Sequence, residues 1–205
     1  GATSFYASDP LAKRLGLVLN MEARGGGGRV SMFETSDANG GLIDAYRKVT
    51  RSPSSTSLGI FIYQHMPNDT DLTVAKDANI PGLNYAFIGK YFDYHAASST
   101  AANLERGTVQ HMGQQVLATA QAFAFARALP KASPDVVYSD LLGHMVVAYP
   151  QWAGWLVLLV AAGLAIAAFA RVRKSEPLSW IAGLKGAGGL LLATIIAGGM
   201  AYGVR

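Results

Sequence analysis

Two side chains that could bind a metal follow predicted strands, and a phenol adjoins one of them. Glu22 closes the apolar run 15–22, which predicts a buried strand, and His95 follows Tyr94 in the loop after a second predicted strand, 81–88. Proteins with alternating strands and helices place functional groups at the carboxyl ends of their strands. Carboxylate and imidazole are zinc ligands, and the Tyr94 phenol could donate to a developing oxyanion. From this pattern alone, a metal shared by Glu22 and His95 and a structural role for each both stay open.

Two further polar segments each allow two interpretations. Four consecutive glycines, 25–28, lie in a predicted loop, 24–29, but lack the Lys-Ser/Thr of a P-loop and the spacing of a dinucleotide turn. A loop with unusual backbone angles is therefore favoured over a phosphate site. The segment Asn68-Asp69-Thr70-Asp71 could hold Mg²⁺ through its D-x-D pair, or cap a helix predicted at 72–78. The capping interpretation is favoured.

The remaining elements predict an α/β fold. A further strand is expected at 30–35, and helices are expected at 40–51 and 107–129, where apolar residues recur on one face. Residues 136–149 fit either a strand or a juxtamembrane extension. Strands that alternate with helices indicate a sheet flanked by helices.

Composition excludes several classes of protein. The chain of 205 residues is 51% hydrophobic and 15% charged and has no cysteine, which excludes a disordered chain and a disulfide-stapled miniprotein. Residues 1–140 hold 12 basic and 12 acidic side chains, so the whole net charge of +4 belongs to residues 141–205. The neutral folded part offers no electrostatic footprint for nucleic acid, and no nucleic-acid partner is expected.

The C-terminal third predicts two transmembrane helices, at about 152–170 and 178–204. The first stretch has 19 residues without a charge, and the second is interrupted only by Lys185. A hairpin of buried core helices in a soluble protein is the alternative. The connection 171–179 carries three basic residues, which predicts that it is cytoplasmic and that residues 1–150 are extracytoplasmic, periplasmic or lumenal. The lipid bilayer is therefore an expected partner.

An ordered series of blocks resembles the di-zinc exopeptidase family that includes aminopeptidases and glutamate carboxypeptidases. The blocks are LNMEARG at 19–25, NDTD at 68–71, IPGLNYAFI at 80–88, YH at 94–95 and GTVQHMG at 107–113. They are most similar to the membrane-anchored branch, with its vacuolar membrane proteases and endoplasmic-reticulum metallopeptidases. The resemblance implies that Glu22 and His95 are zinc ligands, that Tyr94 stabilises the tetrahedral intermediate, and that the substrate is a peptide with a free N-terminus. Asp71 receives no role from it.

Two departures from the family pattern shape the expected organisation. The family often continues its histidine as His-Thr-x-x-Asp, whereas residues 95–100 read HAASST. The family's upstream H-x-D and Glu-Glu, which supply further ligands for two zinc ions and the general base, do not occur in residues 1–21. We therefore expect a fragment that is inactive alone and lacks the N-terminal half of the peptidase domain as its partner.

The expected domains follow from this resemblance. Residues 1–135 are expected to form the C-terminal part of a zinc-exopeptidase-like α/β domain with a partial sheet flanked by helices, 136–150 a juxtamembrane segment, and 151–205 a membrane region. Two other functions stay open at this point. One is a non-catalytic ectodomain that binds a partner, and the other is a glutaminyl-cyclase-like acyl transferase with a single zinc.

Overall fold

A computed structural model divides the chain into two units, Gly1–Gln151 and Trp152–Arg205. It describes the backbone of residues 1–175 and 179–203, and the side chains of residues 1–174 and 179–196. The first unit is a mixed α/β structure, as the alternation of apolar patterns predicts.

A three-stranded sheet lies at the centre of the first unit. Its strands are β1 (Val18–Ala23), β2 (Gly27–Thr35) and β3 (Gly82–Gly89), in the spatial order β1-β3-β2. β1 runs parallel to β3, and β2 runs antiparallel to it. The first six residues of β3 are buried, because this strand has a neighbour on each side and is covered on both faces.

Five helices accompany the sheet in the first unit. They are α1 (Ala2–Ser8), α2 (Gly40–Val49), α3 (Ser57–Gln64), α4 (Asp71–Asp77) and α5 (Arg106–Ala124), with 3₁₀ turns at Ala12–Arg14 and Tyr91–Asp93. α5 packs on β2 and β3, and α2 packs on α5. The core that they enclose contains Val30, Met32, Leu42, Ile43, Tyr46, Leu83, Tyr85 and Phe87.

Most predicted elements are confirmed, but several boundaries are wrong: β1 begins at Val18 and not at residue 15, and α2 ends at Val49 and not at residue 51. The predicted loop 24–29 is shorter, because β2 already begins at Gly27, which pairs with Gly89 of β3. Gly28 has φ +92° at a register shift, so a bulge carries the strand through the glycines. The helix predicted at 107–129 ends at Ala124, and the next residue, Phe125, is 85% exposed.

Residues 136–150 form a β-hairpin of β4 (Val136–Leu141) and β5 (Met145–Pro150). Three residues, 142–144, connect the paired Leu141 and Met145; Leu142 and Gly143 have positive φ, and the His144 N–H donates to the Leu141 carbonyl at 3.0 Å. Tyr138 and Val146 of the hairpin are buried in the core of the first unit. The hairpin is therefore part of the folded unit that ends at Gln151.

The second unit contains two apolar helices, α6 (Gln151–Ser175), whose first residue still belongs to the first unit, and α7 (Trp180–Gly203). Residues 151–174 of α6 contain an 18-residue window with a mean hydropathy of 2.3 and no buried share, so this helix is long and apolar enough to cross a membrane. Within the described residues, the apolar stretch of α7 is shorter, Trp180–Ile196, and the second predicted transmembrane helix is not confirmed. Parts of the predicted span 178–204 and loop 171–179, namely 176–178 and 204, lie outside the described residues.

Candidate active site

The parallel pairing of β1 and β3 brings the predicted site segments to one edge of the sheet. Glu22 is opposite Ala86 in the register, one residue before β1 ends. β3 ends at Gly89, and the chain then passes through a 3₁₀ turn to Tyr94 and His95. Both segments therefore follow the carboxyl ends of adjacent parallel strands, where functional groups collect in α/β proteins.

Tyr94 and His95 form an exposed aromatic pair at the end of this turn. Their ring centroids are 4.1 Å apart in an edge-to-face arrangement, and Tyr94 is 44% exposed. His95 has φ +55°, in the left-handed region that non-glycine residues seldom adopt. A backbone held in such a conformation is typical of functional sites, where surrounding contacts compensate the strain.

Arg24 connects the three segments around this edge. Its guanidinium carbon lies 5.6 Å from the centre of the Tyr94 ring, and its Nη2 donates to the Asp69 carbonyl at 3.4 Å. The arginine follows Glu22 by two residues, so it brings the end of β1, the 68–71 segment and Tyr94 together. Among the residues that the structure describes, no three His, Cys, Asp or Glu side chains gather as a metal site. The joint ligation of a metal by Glu22 and His95 stays a prediction.

Glu105 fastens the glycine segment to the loop that precedes Tyr94. Its Oε2 accepts a hydrogen bond from the Gly28 N–H at 3.1 Å, and its Oε1 pairs with Lys90 Nζ at 2.9 Å. The Lys90 hydrogen bond, followed by that of Gly28, lowers the pKa of the Glu105 carboxyl below its ordinary value. Because a protein carboxylate already accepts the Gly28 N–H, the glycine run is not arranged as a phosphate cradle.

The 68–71 segment begins a helix, as the capping interpretation predicts. Thr70 is the N-cap of α4 in a capping box with Thr73, whose hydroxyl accepts from the Thr70 N–H at 3.3 Å. Asp71 is exposed in the first turn, where its negative charge interacts favourably with the positive end of the helix dipole. Burial, and then the charge of Asp71, raise the pKa of Tyr6 on α1. These interactions are consistent with a structural role for Asp71 at the start of α4.

A row of polar side chains across the sheet was missed by the sequence reasoning. Asn20 Nδ2 donates to Glu22 Oε1 and to Asn84 Oδ1, both at 3.0 Å. Asn84 Nδ2 donates to Glu34 Oε2 at 2.9 Å, and Glu34 Oε1 pairs with Lys76 at 2.9 Å. The available signal was that polar residues interrupt otherwise apolar strands on one face, but their alignment depends on the register between strands.

His111 has the structural role that a solitary histidine most often has. Its Nδ1 accepts from the Val30 N–H at 3.0 Å, and its Nε2 is 2.9 Å from the Ser52 carbonyl oxygen. The imidazole therefore joins α5 to β2 and to the segment after α2. Both ring nitrogens are engaged, so this histidine is not a candidate ligand.

Comparisons with known proteins identify the family to which this chain belongs. The profile of peptidase family M28 matches residues 1–120. Human endoplasmic reticulum metallopeptidase 1 is 31% identical over 160 residues, which cover 75% of this chain and 18% of the relative. The putative endoplasmic reticulum metallopeptidase 1-B of Caenorhabditis elegans is 31% identical over 146 residues, covering 68% of the chain and 16% of the relative.

A fungal relative shows the same partial coverage. The vacuolar membrane protease of Eremothecium gossypii is 28% identical over 151 residues, which cover 73% of this chain and 15% of the relative. The matched region thus spans less than a fifth of each of these three proteins. No solved structure gives a significant match. The family profile covers more than half of the chain, and the chain belongs to peptidase family M28.

Proposed function

We propose that this chain is part of a membrane-anchored, zinc-dependent exopeptidase that removes residues from peptides with a free N-terminus. The observation that carries the proposal is that Glu22 lies near the end of β1 while Tyr94 and His95 follow the end of the adjacent parallel strand β3, with Arg24 near Tyr94. Membership of family M28 and similarity to membrane proteases support peptide hydrolysis.

The chemistry of the two proposed ligands fits zinc. Glu22 Oε1 accepts from Asn20, and no other described group hydrogen-bonds to the second carboxylate oxygen. His95 is exposed, and no described residue hydrogen-bonds to its imidazole. A carboxylate oxygen and an imidazole nitrogen are thus available, and a closed zinc site needs about four ligands in total. The remaining ligands of two ions would come from other residues of the intact protein.

The residues of this chain would bind and orient the reacting groups. When bound, zinc would polarise the scissile carbonyl and activate a water molecule. The Tyr94 phenol would donate a hydrogen bond to the carbonyl oxygen as negative charge develops there. Arg24, which lies over the Tyr94 ring, would hold that phenol in place. The proton of the water would go to a glutamate outside this chain, so the chain alone would be inactive.

The open edge of the central sheet supports a missing N-terminal half of the peptidase domain. β1 is an outer strand, and no strand among the described residues pairs with its second edge. An outer strand leaves backbone N–H and C=O groups without partners, and such edges pair readily with another strand. We infer that upstream residues of the intact protein add to β1 and complete the site.

The membrane topology is also part of the proposal. α6 would anchor the protein as a transmembrane helix, and α7 would follow it as the second. Arg171, Arg173 and Lys174 lie in the last turns of α6, so the predicted loop 171–179 begins as helix; these residues would keep this end of α6 cytoplasmic, with residues 1–150 on the extracytoplasmic side. Protease treatment of sealed vesicles tests this topology. Digestion of residues 1–150 from the cytoplasmic side alone would contradict it.

The catalytic proposal is tested on the protein that includes the residues upstream of Gly1. We expect about two zinc ions per chain and cleavage of peptides from a free N-terminus. His95→Ala and Glu22→Ala should each lower zinc content and abolish cleavage. His144→Ala is the matched control, because this exposed histidine lies in the hairpin turn.

Three outcomes of this experiment would contradict the proposal. Normal activity in His95→Ala would remove this residue from the site. A folded wild-type protein that binds no zinc and cleaves no peptide would favour the partner-binding ectodomain instead. Cyclisation of N-terminal glutamine without cleavage would favour the acyl transferase.

A further inference from the structure

The row of polar side chains behind Glu22 runs across all three strands of the central sheet. Asn20 and Asn84 are paired in the register of β1 and β3, and Asn84 and Glu34 are paired in the register of β3 and β2. Asn84 is fully buried and Glu34 is 2% exposed. Polar groups in such positions are costly unless each finds a partner. Here each does, which makes the row a connected network.

The hydrogen bonds of this network have one direction. Glu34 pairs with Lys76 through Oε1 and accepts from Asn84 through Oε2, so the Asn84 amide nitrogen must face Glu34. That nitrogen also donates to the Thr70 hydroxyl at 2.8 Å, which uses its second hydrogen. The Asn84 oxygen is consequently turned towards Asn20.

The direction continues from Asn20 to Glu22. Because Asn84 presents its oxygen, Asn20 must present its amide nitrogen at this contact. The second hydrogen of the same nitrogen is donated to Glu22 Oε1. One carboxylate oxygen of Glu22 is therefore held by a donor, and the other is left for a ligand.

We propose that Asn20 and Asn84 are positioning residues that orient the Glu22 carboxylate for metal binding, and that Glu34 fixes the direction of both amides. The inference rests on the proposed role of Glu22 as a zinc ligand. Groups that hydrogen-bond to metal ligands set ligand orientation, and their loss typically lowers metal affinity roughly 10–100-fold. Glu34 lies on β2, which β3 separates from β1, so it acts on Glu22 through the Asn84 and Asn20 amides.

Leucine variants of the two asparagines test the relay without changing any charge. Asn20→Leu removes the donor to Glu22 directly, and Asn84→Leu removes the group that orients Asn20. Each should weaken zinc binding by roughly 10–100-fold in the protein that includes the upstream residues. Zinc affinity is measured by competition with a chromogenic chelator, and circular dichroism on the same samples confirms folding.

The double variant separates positioning from general stability. If Asn84 acts through Asn20, then Asn20→Leu/Asn84→Leu should bind zinc no more weakly than Asn20→Leu alone, although it unfolds at a lower temperature. Tyr85→Phe is the matched control in β3. It removes a buried hydrogen bond, from Tyr85 to Thr119 at 3.0 Å, that does not belong to the relay. It should lower stability and leave zinc affinity unchanged.

Glu34→Gln is a second, isosteric variant in case Asn84→Leu fails to fold. Lys76 should donate to the single oxygen of the new side-chain amide at position 34. The NH₂ group of that amide then faces Asn84, and the Asn84 amide must turn to accept from it. Asn20 must turn in response, so its amide nitrogen no longer donates to Glu22, and zinc affinity should fall. Wild-type zinc affinity in a folded Asn84→Leu or Glu34→Gln protein would overturn the relay.

Failure of the relay and failure of the proposed function give different results. If Glu22→Ala leaves zinc affinity unchanged, Glu22 is not a ligand and the proposed site is wrong. If Glu22→Ala weakens zinc binding while the asparagine variants match Tyr85→Phe, the ligand assignment holds and only the relay is wrong.

Discussion

Gly25 follows β1 where the backbone lies close to the end of β3, and its replacement by alanine should disturb the candidate site. A Cβ atom on Gly25 would lie 2.3 Å from the Gly89 carbonyl oxygen and 3.1 Å from that of Ile88. Both atoms belong to the backbone, so no side-chain rotation can relieve the contact. Alanine must therefore push apart the strand end after Glu22 and the strand end that leads to His95.

The expected magnitude follows from the cost of overpacking a close-packed site. Such contacts destabilise a protein by about 1–3 kcal/mol. For a protein of roughly 150–250 residues, each kcal/mol lowers the unfolding temperature by about 2–4 °C, so Gly25→Ala should unfold about 2–12 °C below wild type. The displaced loop should also weaken zinc binding, because Tyr94 and His95 follow directly from the strand that moves.

A glycine with open space around it provides the matched control. A Cβ atom on Gly113, in α5, would meet nothing within 4 Å. Alanine is favoured over glycine in a helix interior by roughly 0.8–1.0 kcal/mol, so Gly113→Ala should raise the unfolding temperature. Thermal unfolding is followed by circular dichroism on both variants of this chain, and zinc competition is measured on both variants of the protein that includes the residues upstream of Gly1. An unchanged or higher unfolding temperature for Gly25→Ala, beside a stabilised Gly113→Ala, would refute the close-approach argument.

Three further predictions concern burial and charge. Gln115→Leu leaves the Tyr46 hydroxyl and the Val30 carbonyl of β2 unpaired, which should lower the free energy of unfolding by about 1–3 kcal/mol for each group. The midpoint of denaturant unfolding measures this loss, and an unchanged midpoint would contradict it. Lys90 lowers the pKa of Glu105. The hydrogen bond from the Gly28 N–H to the Glu105 carboxylate is therefore fully formed above the ordinary carboxyl pKa and is lost as pH falls through the lowered pKa. Hydrogen-exchange protection at Gly28 should therefore fall on acidification, but stay flat in Glu105→Gln. Burial raises the pKa of Tyr46, so stability should fall as pH rises above about 10. Phenolate absorbance from this residue before unfolding would refute that.

The elements that the sequence predicts well are those whose signals are local. The apolar runs of β1 and β3 and the helical period of α2 depend only on neighbouring residues, and all three elements form where expected. The start of β2 could not be predicted in this way, because glycine is uncommon in strands and a run of four glycines indicates a loop. Gly27 becomes a strand residue only through its pairing with Gly89.

The candidate site divides along the same line. Glu22, Tyr94 and His95 could be nominated because each follows a recognisable strand and belongs to a family block. Asn84 and Glu34 could not, since their relevance depends on lying opposite each other in adjacent strands. The register between strands is a tertiary property, which hydrophobic alternation constrains but does not specify residue by residue.

The polar row gives a physical reason why this register is maintained. A shift of β1 by one residue against β3 would exchange the faces on which Asn20 and Glu22 lie. The buried Asn84 amide would then lose its contact with Asn20, at a cost of about 1–3 kcal/mol for each polar group left unpaired. The same residues that hold Glu22 therefore also select the alignment that brings it to the sheet edge beside the loop of His95. Asn20 and Asn84 therefore contribute both to the orientation of the proposed ligand and to the pairing of β1 with β3.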